Sequence, residues 1–290
     1  MTLTVAAIQM KMTDVIADNI FVADALVRQA ARRGAQVVVI PELFEGLYFC
    51  KDRSPDNFSR AREITANPTV EHFRKLASEL RVALPVSVFE RQNNSYFNTV
   101  VMVDATGDVL GIYRKSHIPD GPGYSEKFYF SPGDTGFQVW NTVHGRVGVG
   151  ICWDQWFPEA ARTMALQGAE VLVYPTAIGT EPQNPAWDSS GHWQRVMQGH
   201  AAANLMPIVA ANRYGHEVGE SCDITFYGSS FIADNTGQIV AVAGRDEEAV
   251  LVASFDRQEM QSLRASWGLF RDRRPDLYGN VTSLDGTTTA

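Results

Sequence analysis

The chain has 290 residues, 45% hydrophobic and 20% charged, enough for a sizeable core in one large domain or two small ones. Its net charge of -8 argues against a binder of nucleic-acid phosphate; the densest basic cluster, Arg271, Arg273 and Arg274, is diluted by Asp272 and Asp276. Three cysteines, Cys50, Cys152 and Cys222, are too few and too scattered for a disulfide framework or a zinc site, so a reducing, cytoplasmic setting is the default.

Met1 to Met10 alternates polar and apolar residues as a strand does, with no basic n-region and no long apolar h-region of a secretory signal. Apolar runs such as Val37–Ile40 and Val147–Ile151 fall far short of the ~20 residues a membrane-spanning helix needs, so no membrane partner is expected. Over 18–33, Ile20, Ala23, Leu26, Val27 and Ala30 recur with a helical period, and Gly34 suits the position just past a helix end. Gln36–Ile40 then reads as a buried strand that Pro41 ends. Helices are also expected over 69–80 and 191–204, leading into strands over 82–89 and 207–212.

The first pattern returns. Pro158 suits the first turn of a helix running to about Gln167, Gly168 stops it, Val171–Tyr174 make a strand, and Pro175 ends that. Arg33–Pro41 thus matches Gln167–Pro175 residue by residue, and two hairpins, Val101–Tyr113 and Phe231–Val242, form a second matching pair around Asp104-Ala105-Thr106-Gly107 and Asp234-Asn235-Thr236-Gly237. Two halves of helix, buried strand and hairpin predict a pseudo-symmetric α/β fold, not a solenoid of many short repeats. No low-complexity linker divides them, so residues 1–290 are expected to form one domain. From Ser254 the character changes, with Trp267, Phe270 and Tyr278 among arginines. The 254–290 segment is read as an arm crossing to another subunit, or as a frayed end.

Three ionisable residues stand where a buried strand has just ended: Glu42 after Val37–Ile40, Lys115 after Val109–Tyr113 and Cys152 after Val147–Ile151. In open α/β sheets, ligand crevices lie outside the carboxyl ends of strands, so the three are expected at one rim. Their chemistry is coherent. A thiol attacks as thiolate and needs a base, which Glu42 can supply before returning the proton to a leaving amine. Lys115 places positive charge where an attacked carbonyl oxygen becomes an oxyanion, and the backbone N–H of Trp153 is a natural second donor. Gly148 and Gly150 allow a close backbone approach before the turn. Taken singly, each has a duller explanation: a buried free cysteine is usually inert, as expected for Cys50 and Cys222, and a glutamate or lysine after a strand is usually solvated. His117 and His144 stay open, a loop histidine being more often incidental.

The contexts Pro41-Glu42, Tyr113-Arg114-Lys115 and Gly150-Ile151-Cys152-Trp153-Asp154 resemble the nitrilase superfamily, the carbon–nitrogen hydrolases, in a likeness running from about Val5 to Phe255. The resemblance implies a four-layer α-β-β-α sandwich with internal pseudo-two-fold symmetry, and homo-oligomers built from dimers. It implies a Glu-Lys-Cys triad with Glu42 as general base, Lys115 as the oxyanion-stabilising lysine and Cys152 as nucleophile. Glu126, within Tyr124–Phe130, matches an additional glutamate that positions lysine and substrate; the plainer alternative is a surface carboxylate paired with Lys127. A non-catalytic binding module is disfavoured, because no member of the triad is missing.

The stretches Lys115–Tyr124, Tyr174–Pro182 and His192–His200 are similar to the branch of that superfamily acting on N-carbamoylputrescine, which releases ammonia and carbon dioxide and leaves putrescine, in polyamine biosynthesis from agmatine. That substrate has a neutral ureido end and a protonated amine a four-carbon chain away, so the pocket needs an apolar tunnel with an acceptor at its far end. Glu181 is the candidate for the amine, with Tyr48 and Tyr124 as aromatic walls. N-carbamoyl amino acids, ω-amides and nitriles are the rival substrates, and Arg195 or Arg213 pointing inward would favour a carboxylate. No metal is expected, histidine and cysteine lacking ligand spacing, and no nucleotide cofactor, there being no glycine-rich phosphate loop.

Overall fold

The computed structural model describes residues 1–287; the last residues of the expected arm, 288–290, lie outside the described residues. The chain opens with β1 (Thr2–Gln9), α1 (Ile16–Arg32), β2 (Val37–Val39), α2 (Pro68–Leu80) and a meander of β3 (Leu84–Gln92), β4 (Ser95–Val103) and β5 (Val109–Arg114). The same order follows with β6 (Val139–Thr142), β7 (Gly145–Val149), α3 (Pro158–Leu166), β8 (Val171–Thr176), α4 (Ser190–Asn204) and β9 (Ile208–Asn212). A side hairpin of β10 (Tyr214–Glu217) and β11 (Ile224–Tyr227) precedes β12 (Phe231–Ala233), β13 (Ile239–Val242), β14 (Ala249–Asp256) and α5 (Arg257–Trp267).

Local chemistry accounts for the helix limits. α1 buries Ala23, Leu26, Val27 and Ala30 on one face, and Gly34 past its end takes φ +86°, open to glycine at little cost. Asn67 caps α2 by accepting from the backbone N–H groups of Thr69 and Val70 at 2.9 and 3.2 Å, a contact worth about 1 kcal/mol. Pro158 starts α3, and Gly168 with φ +92° follows its end.

The strands form two matching sheets. In one, β14-β1-β2 meets β3-β4-β5 through the parallel bridge Val37–Ala83, with Val38 N–H donating to Ala83 O at 3.0 Å and Ala83 N–H to Gln36 O at 2.8 Å. The other runs β6-β7-β8-β9-β12-β13. In each, central parallel strands are flanked by antiparallel ones in the same pattern, β14 standing to β1 as β6 stands to β7. The expected internal pseudo-symmetry is present in this topology, with β14 reached from the far end of the chain.

Alternation of side chains sorts the core into layers. Val37, Val39, Val171 and Val173 point into the space between the sheets, together with Val5, Val147 and Val209. Val38, Ile40 and Ile8 instead meet α1 and α2, while Leu172, Tyr174 and Ile208 meet α3 and α4. The result is the expected α-β-β-α sandwich. Each of these fully buried valines contributes about 1.5–3 kcal/mol of hydrophobic stabilisation.

The beginning of the expected arm is built into this body. β14 pairs with β1 along its length, Met260 of α5 enters the inter-sheet core, and Arg257 pairs with Glu170 at 2.8 Å. Among the described residues no helix is long and apolar enough to cross a membrane.

Candidate active site

Parallel pairing brings the carboxyl ends of β2 and β5 to one edge of the first sheet, and those of β7, β8 and β9 to one edge of the second. The two edges touch: Glu42 N–H donates to Thr176 O at 3.3 Å, and Tyr214 N–H to Met10 O at 3.2 Å. Glu42, Lys115 and Cys152 each follow one of these strand ends.

Lys115 is the hub. Its Nζ donates to Glu42 Oε1 at 2.8 Å and to Glu126 Oε2 at 2.7 Å, and all three side chains are essentially shut off from solvent. Burial opposes the charge on Lys115, but Glu126 and Glu42 outweigh it and hold the ammonium protonated well above its usual range. Glu126 moves the other way. Burial pushes its carboxyl up to about 7 against the pull of Lys115, and the nearby Glu42 adds to the rise. Glu126 is therefore a member of the buried cluster, not a surface carboxylate paired with Lys127.

Glu42 is held asymmetrically. Asn98 Nδ2 donates to its Oε1 at 2.7 Å beside Lys115, whereas Oε2 is buried and has no partner among the described residues. One oxygen is pinned and the other is available for a proton. Arg213, considered above as a pocket arginine, instead lies fully buried behind this loop. It donates to the carbonyls of Glu42, Leu43 and Gly46 at 2.7, 3.0 and 3.1 Å and pairs with Glu217 at 3.0 Å. Arg195 is exposed on α4 and does not line the cleft.

Cys152 opens a 3-10 turn, Cys152–Trp156, with φ +39°, a left-handed conformation that a non-glycine residue adopts only under constraint. Asp154 supplies that constraint. Its Oδ2 accepts from Ile151 N–H at 2.9 Å and from Tyr113 OH at 2.7 Å, while Oδ1 accepts from His117 N–H at 3.0 Å and meets His117 Nδ1 at 2.7 Å. The carboxylate thus ties the turn that carries Cys152 to the segment that carries Lys115. His117, stacked on Phe157 at 3.6 Å, belongs to this brace; His144 lies on the surface against Arg81 O. Gly148 and Gly150 make room for neighbouring side chains, since a Cβ would come within 2.6 Å of Leu172 and 2.5 Å of Tyr174.

Burial raises the Cys152 thiol well above its usual range, and Glu42 reinforces the rise against Lys115. That direction favours the protonated thiol over the thiolate.

Cys152 lines a cavity of about 100 Å³ with Trp153, Gln155, Trp156, Glu126, Tyr124, Asp120, Glu181 and the 119–122 segment among its walls. No lysine, arginine or histidine is among the described residues lining it. Glu181 is half-buried, accepts from Ser189 Oγ at 3.2 Å and Gln183 Nε2 at 3.3 Å, and is raised above the usual carboxylate range by burial. Tyr124 is among the residues lining the cavity. Tyr48 stands behind it, ring centroids 5.9 Å apart, with its hydroxyl donating to Glu126 Oε1 at 2.6 Å. A cavity of about 120 Å³ around Leu43, Glu45 and Phe89 shares no residue with this one and holds no cysteine. No group of residues suited to hold a metal ion is present among the described residues.

Asn98 and Asp154 are site residues that the sequence reading did not assign, and Arg213 entered it only as a pocket arginine. Asn98 carried a signal, being polar inside the apolar strand around Phe97 and Val100. Asp154 carried another, three residues after Ile151 at the spacing of a backbone cap.

The signature of the carbon-nitrogen hydrolases matches residues 4–265, and the chain belongs to that family. It is 57% identical over 288 residues to an N-carbamoylputrescine amidase from Solanum tuberosum, covering 98% of this chain and 96% of that protein. A citrullinase from Francisella tularensis subsp. tularensis is 52% identical over 277 residues, covering 96% and 97%. Among solved structures, a carbon-nitrogen hydrolase from Helicobacter pylori G27 superposes with a TM-score of 0.91 at 36% identity, over 98% of this chain and 99% of that one.

Proposed function

We propose that this chain hydrolyses N-carbamoylputrescine to putrescine, carbon dioxide and ammonia, in polyamine biosynthesis from agmatine. The observation that carries the reading is the charge of the cleft: Cys152 shares it with Asp120, Glu126 and Glu181, and no cationic side chain is among its described lining residues. An ammonium tail finds acids there, and a carboxylate tail finds no counter-charge. The identity to a protein named N-carbamoylputrescine amidase supports the same reading.

In this mechanism Cys152 Sγ attacks the ureido carbon while Glu42 Oε2 takes the thiol proton. Lys115 and the Trp153 N–H, which as an early residue of a helical turn lacks an intrahelical acceptor, stabilise the oxyanion. Glu126 keeps Lys115 in place. Glu181 holds the ammonium end, with Tyr124 as an aromatic wall and Tyr48 supporting Glu126 from behind. Because the tail stays anchored, ammonia leaves first, taking the proton from Glu42 as the C–N bond breaks. Water then cleaves the thioester-like carbamoyl-enzyme, and the released carbamic acid loses carbon dioxide.

The citrullinase relative favours a second reading, citrulline, which adds a carboxylate to a similar ureido chain. Comparing kcat/KM for N-carbamoylputrescine, citrulline, N-carbamoyl-β-alanine and a simple nitrile separates them. N-carbamoylputrescine is expected to be preferred by at least about tenfold, one ion pair's worth. Preference for any of the others would overturn the assignment.

Homo-oligomers built from dimers and a cytoplasmic location belong to the same reading. Exposed Trp267, Leu277 and Val281 near the chain end support a role for the 254–290 arm in subunit contacts. Sedimentation of the full chain and of one truncated after Gly268 tests that role, and an unchanged oligomer would remove it.

A further inference from the structure

Gln155 lines the cleft, yet its residue is fully buried and its Nε2 has no partner among the described residues. The orientation of the amide is not free. Trp193 Nε1, which can only donate, reaches Gln155 Oε1 at 2.7 Å, and Thr176 Oγ1 approaches the same oxygen at 3.4 Å. The NH2 group is left as an unspent donor, and a buried donor without an acceptor is costly.

Two further relations give that donor a direction. Cys152 and Gln155 stand three residues apart in one 3-10 turn, and both line the same cleft. Thr176, which touches the Gln155 amide through its hydroxyl, also accepts from Glu42 N–H at 3.3 Å through its carbonyl. Glu42 Oε2 is itself buried and unpartnered. The unmet donor and the unmet acceptor therefore belong to two residues that both contact Thr176, at the end of β8. A water molecule, accepting from one and donating to the other, is complementary to that pair.

We propose that Gln155 Nε2 holds the hydrolytic water of the second half-reaction against Glu42. The inference rests on the carbamoyl-enzyme reading given above. The water oxygen forms a bond to the carbonyl carbon of the Cys152 adduct as one water proton passes to Glu42 Oε2. The C–S bond then breaks, and the departing sulfur takes that proton back from Glu42. Gln155 donates throughout and exchanges no proton, so its removal slows release of the adduct more than its formation.

Two variants test this. Gln155→Met removes the donor and the acceptor of Trp193; Gln155→Glu keeps the acceptor and removes the donor. Each is mixed with N-carbamoylputrescine, acid-quenched and weighed as intact protein, with ammonia followed in parallel and thermal melting used to verify folding. Both are expected to lose about 10–100-fold in kcat, the effect of one hydrogen bond to a reacting group, with the Cys152 adduct accumulating after a burst of ammonia. Wild-type turnover restored in Gln155→Glu would mean that the side chain only supports Trp193, and would overturn the proposal. So would a loss of turnover without an adduct. A Cys152→Ala variant that still turns over would instead sink the thiol mechanism beneath it, whatever Gln155 does.

Discussion

Tyr48 donates a 2.6 Å hydrogen bond to Glu126 from a position that solvent does not reach. Burial raises the tyrosine hydroxyl well above its usual range, so it stays protonated and acts only as a donor here. That bond favours the ionised carboxylate, opposing the burial that lifts Glu126 to about 7. Ionised Glu126 accepts from Lys115 Nζ; once protonated it is a weaker acceptor, and the grip on the lysine loosens. Activity is therefore expected to rise with pH through about 7, as Glu126 loses its proton. In Tyr48→Phe the supporting donor is gone, the carboxyl holds its proton to higher pH, and the acidic limb of the kcat/KM profile moves up. A Phe variant whose limb stays in place would mean that Glu126 does not govern that limb.

Asp154 gathers donors from Ile151, Tyr113 and His117 on a fully buried carboxylate, beside Cys152, the proposed nucleophile, with φ +39°. Asp154→Asn keeps the shape but turns one acceptor oxygen into an NH2 facing other donors. The expected cost is roughly 2–4 kcal/mol of stability, read from the chemical denaturation midpoint. A fall in kcat should accompany it in the fraction that stays folded, because the turn carrying Cys152 is no longer fixed to the Lys115 segment. Unchanged turnover in folded Asp154→Asn would reduce the residue to a structural role.

What the sequence made legible follows the range of the interaction involved. Strand ends can be read locally: a β-branched run closed by proline announces Glu42, and a glycine-flanked run announces Cys152, so the triad emerged from neighbours in the chain. The repeated helix-strand pattern around Gly34 and Gly168 likewise depends on local periodicity and carried the internal pseudo-symmetry, whereas the two-sheet sandwich came from the resemblance to the carbon–nitrogen hydrolases. Arg213 could not be placed in this way. Its partners, the carbonyls of Glu42, Leu43 and Gly46, lie in the opposite half of the chain, and an arginine near a site reads equally as a ligand for substrate. Tyr48 was drawn to the cleft by its aromatic character, while its hydroxyl's attachment to Glu126 depends on how two distant loops fold together. β14 escaped notice for the same reason, since its place beside β1 is set by pairing across nearly the whole chain.

Gly133 bears on the site without carrying any functional group. Its N–H donates to Lys115 O at 2.8 Å, and a Cβ there would fall 2.0 Å from Arg114 O and 2.8 Å from Lys115 O. Those are backbone atoms, so Gly133→Ala must displace the strand end that aims the lysine. A stability loss of about 1–3 kcal/mol is expected, with a larger proportional loss of kcat. Gly199 supplies the contrast: it lies exposed within α4 with nothing near its missing Cβ, so Gly199→Ala should stabilise by about 0.5–1 kcal/mol and leave kcat alone. Equal effects of the two alanines would show that the contact with Lys115 has no catalytic weight.

In the proposed reading Glu181 is the residue on which the choice of substrate depends. Its carboxylate is half-buried, held by Ser189 and Gln183, and no cation among the described residues competes for it in the cleft. An ammonium placed there gains a charge-assisted hydrogen bond worth about 1.5–3 kcal/mol, so Glu181→Gln should raise KM for N-carbamoylputrescine by about 10–100-fold. The same substitution should hardly change hydrolysis of N-butylurea, which has the ureido head and carbon chain but no ammonium. Since burial lifts Glu181 above the usual carboxylate range, KM in the unsubstituted protein should begin to climb, as pH falls, earlier than an exposed glutamate would allow. That climb should vanish in Glu181→Gln. If both ureas lost activity equally in the variant, Glu181 would be shaping the cleft without reading the amine, and the acceptor would have to be sought at Asp120.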